Sequence, residues 1–156
     1  MYLPQIDEKI NKLVKLYQTR DPYRLAKELK ILILEEPLGE IYGYYSMFNQ
    51  IKIIHINSEL SDVEKRVTCS HELGHCIFHP KENTPKLSKN TLVSELKIEK
   101  EANYFATHLI LDPTTERFEY MTKYEKLTCF GLPNEFDRFL WIIIQWLLCC
   151  VIKNAI

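Results

Sequence analysis

The first part of the chain has the spacing of hydrophobic residues that is typical of two helices. In residues 5–19, hydrophobic side chains recur at intervals of three and four among lysines and glutamates, which predicts an amphipathic helix. Asp21 and Pro22 then supply an N-cap and a first-turn proline, so a second, short helix is predicted as far as about Leu29. These two helices precede the predicted strands.

The pattern then changes to short runs of β-branched and aromatic residues, which predict strands. Three such runs occupy residues 30–35, 40–47 and 51–57 and are separated by turn residues. They predict a small three-stranded sheet, either mixed or antiparallel. Together with the helices, this sheet places the chain in the α+β class.

Two further helices flank a polar segment in the middle of the chain. Ser61 and Glu64 form a capping-box pattern, and the helix that they open is predicted to end before Pro80. Residues 80–95 are rich in Pro, Lys, Asn, Thr and Ser and predict a polar loop. Apolar residues at helical spacing then predict a second helix over about 98–112.

Length and composition fit one globular domain with balanced charge. The 156 residues carry 20 Lys and Arg against 21 Asp and Glu, which removes the general electrostatic reason to expect direct binding to nucleic acid. The five cysteines have no regular spacing and no apolar leader is present, so reduced thiols and a cytoplasmic location are expected. We expect a single domain over 1–156 with its core in 21–113.

The last part of the chain predicts a helical extension over 114–156, with an unusually apolar segment at 139–152. This segment, FLWIIIQWLLCCVI, would be about 21 Å long as a helix, against a bilayer core of roughly 30 Å. The preferred interpretation is a buried helix or an oligomer contact. A membrane-surface or tail-anchor role and a truncated or altered end of the chain stay open, and so does the oligomeric state.

The sequence SHELGHCIFH at residues 70–79 contains the pattern HExxH inside the helix predicted after the capping box. At 3.6 residues per turn, His71 and His75 lie about 40° apart on one face, so both imidazoles can reach one cation. Glu72 lies about 100° from His71, where it can contact a metal-bound water without being a ligand. Imidazole nitrogens suit Zn²⁺, and Glu72 would then be the general base.

A catalytic zinc site needs a third protein ligand, for which the downstream helix offers glutamates. Glu95, Glu99 and Glu101 are the candidates, and Glu99 and Glu101 point about 200° apart. Glu99 borders the apolar face of its helix and is the preferred ligand. Asn103, one turn on, can orient a ligand through a hydrogen bond. The alternative is that Glu99 and Glu101 are solvated charges among lysines.

The segments HELGHCIFHP and IEKEANYFATHLILDP together resemble the ImmA/IrrE family of zinc metallopeptidases. That family combines an HExxH helix with a downstream ExxxN or ExxxD helix, and the resemblance covers about residues 39–113. It implies a zincin-like arrangement of the HExxH helix and a second ligand-bearing helix. The site residues that it implies are the zinc ligands His71, His75 and Glu99, the catalytic base Glu72, and Asn103 as the partner that orients a ligand.

The resemblance also implies a function and a substrate. Members of this family act inside bacterial cells and typically cut a helix-turn-helix repressor in phage, mobile-element or stress regulation. A peptide substrate is expected to lie as an added strand against a sheet edge, for which residues 40–47 or 51–57 are the candidates. The competing interpretation is a catalytically weak zinc-binding regulatory module that acts by association with such a regulator. Three ligands beside a free glutamate favour catalysis, because structural zinc normally has four Cys or His ligands.

The remaining histidines and the two cysteines beside the motif are expected to be structural. His79 is predicted to serve at the end of its helix, and His55 and His108 to be packing or surface residues. Cys69 and Cys76 are predicted to be small buried residues, because they lack the close pairing of a cysteine-rich zinc site.

Overall fold

The computed structural model describes residues 3–81, 96–111, 121–130 and 134. Within these residues the chain forms five helices and three strands, which confirms the α+β class. The elements in chain order are α1 (Pro4–Tyr17), α2 (Pro22–Glu28), β1 (Leu32–Glu36), β2 (Gly43–Phe48), β3 (Ile51–Asn57), α3 (Asp62–Phe78), α4 (Lys97–Ile110) and α5 (Lys123–Phe130).

The sheet is mixed, with β3 in its centre. β1 runs parallel to β3 and β2 runs antiparallel to it, so the strand order is β1-β3-β2. Asn49 and Gln50 join β2 to β3 with φ angles of 48° and 67°, as a two-residue type I′ hairpin turn requires. The mixed arrangement was one of the two predicted. The suggestion that residues 51–57 form a sheet edge is wrong, because both sides of β3 are paired.

Several predictions from the sequence fall outside the described residues. They concern most of the polar loop, the first part of the helix predicted after residue 113 and the apolar segment 139–152. Helix α5 begins within the predicted helical extension and continues to Phe130. In the described part of the chain, no helix has the length and apolar character needed to cross a membrane.

Helices α3 and α4 pack against each other, and α3 also packs on one face of the sheet. Ile54 and Ile56 of β3 are fully buried in this core, as are Cys69 and Cys76 of α3, which confirms the prediction for the two cysteines. Gly74 allows the two helices to approach closely, since a Cβ atom there would lie 3.1 Å from the Cα of Ala102. The close approach brings the HExxH helix against the helix that follows the polar loop.

Helix α1 also packs against α4, through Asp7. The Asp7 carboxylate accepts a hydrogen bond from the Tyr104 hydroxyl at 2.8 Å and lies 2.8 Å from Nδ1 of His108. The rings of Tyr104 and His108 stack with centroids 3.9 Å apart. His108 therefore serves in packing, as the sequence predicted, and Asp7 links the first helix of the chain to α4.

We expect Asp7→Ala to lower the free energy of unfolding by about 1–2 kcal/mol, because the substitution removes two contacts that involve a charged acceptor. Urea denaturation of the variant and the unaltered chain measures this difference. Glu8→Ala is the matched control, since Glu8 forms only an exposed pair with Lys12, with side chains 67% and 71% exposed. Equal destabilisation by both substitutions would contradict the bracing role of Asp7.

Candidate metal centre

The HExxH motif lies in the most buried part of α3. The Ser61 hydroxyl accepts a hydrogen bond from the Glu64 backbone N–H, and the Glu64 carboxylate accepts one from the Ser61 backbone N–H, so the predicted capping box forms. Every residue from Val67 to Cys76 is buried. His79 is the C-cap residue of this helix, as expected. The cap therefore sets the first turn of the helix, and the HExxH motif lies within its buried part.

Three side chains from α3 and α4 converge at this depth. The Nε2 atoms of His71 and His75 lie 3.0 Å apart. One carboxylate oxygen of Glu99 lies 3.3 Å from Nε2 of His71, and the other lies 3.4 Å from Nε2 of His75. All three residues are fully buried. Of the three glutamates considered, the structure brings Glu99 to the two histidines, while Glu95 lies outside the described residues.

The distances from Glu99 fit the coordination of a metal ion. Tetrahedral zinc has ligand distances of about 2.0–2.2 Å, so its ligand atoms lie about 3.3–3.6 Å from one another. The two Glu99 distances fall within this range, and the 3.0 Å between the Nε2 atoms is slightly shorter. One donor atom from each of the three residues lies within 4.8 Å of the others. Neither oxygen of Glu99 has a hydrogen bond of ordinary geometry to the described residues. Because burying an uncompensated carboxylate is costly, a bound cation would stabilise this arrangement.

Asn103 orients one of the two imidazoles. Nδ1 of His71 lies 2.8 Å from Oδ1 of Asn103, so the imidazole N–H donates to the amide oxygen. Donation from Nδ1 leaves the lone pair of Nε2 free to face a cation, which is the arrangement found around metal-ligating histidines. Within the described residues, Nδ1 of His75 has no such partner. The structure therefore brings Asn103 to His71 and not to His75.

The ionisation of Glu99 and His75 is suited to a cation. Burial favours the neutral form of Glu99, yet its contacts with His71 and His75 lower its pKa to about 2. Burial lowers the pKa of His75 to about 4. Burial opposes the charged form of His71 as well, but Glu99 and Glu72 raise its pKa overall. Near neutral pH the centre thus contains an anionic carboxylate and a neutral imidazole.

Glu72 lies beside this centre and is also buried, but its pKa shifts in the opposite direction to that of Glu99. Burial raises its pKa to about 7; the positive charge of His71 opposes the rise, and the negative charge of Glu99 adds to it. The backbone of Tyr45 also lowers the pKa, although neither oxygen of Glu72 makes a hydrogen bond of ordinary geometry in the described structure. A carboxylate with a pKa near neutrality can both accept and return a proton under physiological conditions.

The edge of β2 that faces away from β3 runs past Glu72. The Asn57 N–H donates to the Tyr42 carbonyl at 2.8 Å, which fixes the alternation of the antiparallel pair formed with β3. Gly43, Tyr45 and Met47 therefore direct their backbone N–H and C=O groups away from β3. Among the described strands, only β3 pairs with β2. An extended peptide can add to this edge, at a point where the backbone of Tyr45 lies next to Glu72.

One contact close to this centre is not predicted by the sequence pattern. Glu101, which points away from Glu99 on α4, lies 3.1 Å from Nε2 of His79. The positions of Glu101 and His79 in the sequence carry no signal for this contact, because it depends on how α3 and α4 are placed relative to each other.

Comparison with known proteins adds independent information. Residues 26–136 match the family model described as the IrrE N-terminal-like domain, Peptidase_M78. The chain is 44% identical over 103 residues to "Uncharacterized immunity region protein 2" of Bacillus phage phi105, covering 65% of each chain. It is 32% identical over 108 residues to "Metallopeptidase ImmA" of Bacillus subtilis (strain 168), covering 68% of this chain and 63% of that protein. The matches thus span a little under two thirds of the length of these two relatives.

Proposed function

This chain belongs to the ImmA/IrrE family of metallopeptidases, and from that premise we propose that it is a zinc-dependent endopeptidase. The observation that carries the proposal is the convergence of His71, His75 and Glu99, with the carboxylate of Glu72 buried beside them. In this proposal the first three residues hold the zinc ion and Glu72 is the catalytic base. Asn103 holds His71 in the orientation that a ligand needs.

The chemistry divides between the metal and the side chains. Bound zinc supplies a water of lowered pKa and polarises the carbonyl of the scissile peptide. Glu72 accepts a proton from the attacking water as the new C–O bond forms, and it then gives that proton to the leaving amine as the C–N bond breaks. In the metal-free chain burial raises the pKa of Glu72 to about 7, and the charge of a bound zinc ion would lower it, which favours the carboxylate form that accepts the proton.

The edge of β2 that faces away from β3 holds the substrate in an extended form. The backbone groups of Tyr45 and Met47 pair with the peptide main chain, so that main-chain recognition does not depend on the sequence of the substrate. Tyr45 is anchored to the end of α3, since its hydroxyl donates to the Pro80 carbonyl at 3.2 Å. This anchor holds the edge strand in register with the HExxH helix.

The proposed substrate is a helix-turn-helix transcriptional repressor of a phage, a mobile element or a stress response, cut in the cytoplasm. Two observations support a regulatory substrate: one relative is named as a phage immunity region protein, and another is named as the metallopeptidase ImmA. Direct binding to nucleic acid is not part of the proposal, since Lys and Arg number 20 against 21 Asp and Glu.

We expect the purified chain to contain about one zinc ion per molecule and to cut a helix-turn-helix protein encoded beside its own gene. Mass spectrometry of chelator-free protein measures the metal, and sequencing of the new N-terminus identifies the cut bond. Cleavage should stop when a chelator is added and return with zinc. Zinc binding without any cleavage would instead favour the regulatory module, and a folded chain that takes up no zinc would contradict both functions.

A further inference from the structure

A second contact joins α3 and α4 one helical turn beyond the candidate metal centre. Nε2 of His79 lies 3.1 Å from a carboxylate oxygen of Glu101, and each side chain is 12% exposed. The distance is that of an ion pair, although the alignment is not that of a hydrogen bond. The ring centroid of His79 lies 5.8 Å from that of His75. The contact is therefore largely sheltered from water and close to the proposed zinc ligands.

The position of this contact matters because Glu99 lies in the first turn of α4. The backbone N–H groups of a first turn have no partners within their own helix, so a helix end is held less firmly than its middle. The third proposed ligand is therefore at the less firmly held end of α4. Glu101 follows Glu99 by two residues, and His79 follows His75 by four. A link between Glu101 and His79 limits movement of Glu99 relative to His71 and His75.

We propose that His79 and Glu101 form a positioning pair, which holds the first turns of α4 against the end of α3 and keeps Glu99 within reach of the two histidines. This inference rests on the proposed function, since it concerns the affinity of the same zinc site. Neither residue needs to contact the metal or the substrate. The pair acts by restricting Glu99, and its loss should weaken zinc binding more than it weakens the fold.

The test compares His79→Leu, Glu101→Leu and the double variant with the unaltered chain. Zinc affinity is measured by competition with a chelator of known affinity, and thermal unfolding is measured on the metal-free proteins. We expect each single variant to bind zinc about tenfold more weakly, as is typical when a residue that supports a metal ligand is removed. The double variant should bind no more weakly than either single variant, because both substitutions remove the same contact. The other ion pair of Glu101, at 3.7 Å from the exposed Lys97, should contribute little.

Separate roles for the two residues would give different results, and each such result would overturn the pair. If Glu101 acted only through its charge, Glu101→Leu would weaken binding and His79→Leu would not. If His79 were itself a zinc ligand, only His79→Leu would weaken binding. Additive losses in the double variant would likewise show that the two residues act independently of each other.

Two further variants separate positioning from folding. His79→Gln retains a donor that can reach Glu101, so its zinc affinity should stay close to that of the unaltered chain; a tenfold loss would contradict the proposal. Glu36→Gln is the matched control, because it removes the carboxylate 2.5 Å from Nδ1 of His55 in the sheet, and zinc affinity should not change. Absence of zinc binding by the unaltered chain would overturn the proposed function and the pair together, whereas equal affinity in all variants would overturn the pair alone.

Discussion

Replacing Glu72 with glutamine is expected to lower the rate of peptide hydrolysis by about a hundredfold to ten-thousandfold while zinc stays bound. Glutamine has nearly the same shape as glutamate but cannot accept a proton at neutral pH. Glu72 is buried beside the three proposed zinc ligands, where its carboxylate can accept a proton from a metal-bound water. The measurement is the initial rate at which variant and unaltered protein cleave the proposed repressor substrate, each with its zinc content determined.

A matched substitution controls for the loss of a negative charge. Glu35→Gln removes a carboxylate that pairs with Lys65 of α3 at 2.8 Å, away from the HExxH residues, and should leave the rate unchanged. Cleavage by Glu72→Gln at the unaltered rate would remove Glu72 from the mechanism. Loss of zinc from Glu72→Gln would show instead that Glu72 helps to hold the metal.

Replacing Glu99 with alanine is expected to weaken zinc binding by more than about a hundredfold, and cleavage should be lost with the metal. The substitution removes the only carboxylate that contacts both His71 and His75 in the described structure. Loss of a partner that merely orients a ligand costs about 10–100-fold in affinity, so loss of a direct ligand should exceed that range. Competition with a chromophoric chelator gives both dissociation constants.

Two further alanine variants, with different expected zinc affinities, test whether this result is specific to Glu99. Asn103→Ala should lie between Glu99→Ala and the unaltered chain, because it removes only the 2.8 Å contact that orients His71. Glu28→Ala, an exposed glutamate at the end of α2, should bind zinc as the unaltered chain does. If Asn103→Ala weakened binding more than Glu99→Ala, the assignment of the third ligand would be wrong.

The parts of this molecule that the sequence predicts are those fixed by local spacing. His71 and His75 lie on one face of α3 because helical geometry places residues four apart together, and the capping box fixes where α3 begins. The preference for Glu99 over Glu101 follows from the same geometry applied to α4. The roles of these residues in binding and catalysis stay predictions until the variants are measured.

Features that depend on distant parts of the chain were harder to predict. Hydrophobic runs identify strands but not their neighbours, so the parallel pairing of β1 with β3 could not be distinguished from an antiparallel sheet. The same limit made residues 51–57 a candidate edge, although β3 lies in the centre. The contact between His79 and Glu101 depends on the relative placement of two helices, which a sequence pattern does not predict.

The buried carboxylate of Glu72 also bears on how this protein can evolve. Two oxygens without a hydrogen bond to the described residues destabilise the folded state, and an apolar residue of similar size would relieve that cost. A descendant that only associates with its regulator would gain stability from such a mutation. It would lose only the ability to hydrolyse peptides, which it no longer needs. Under the proposed function, we expect lineages that no longer cleave a substrate to replace this glutamate early, so that its retention in a descendant marks continued selection for hydrolysis.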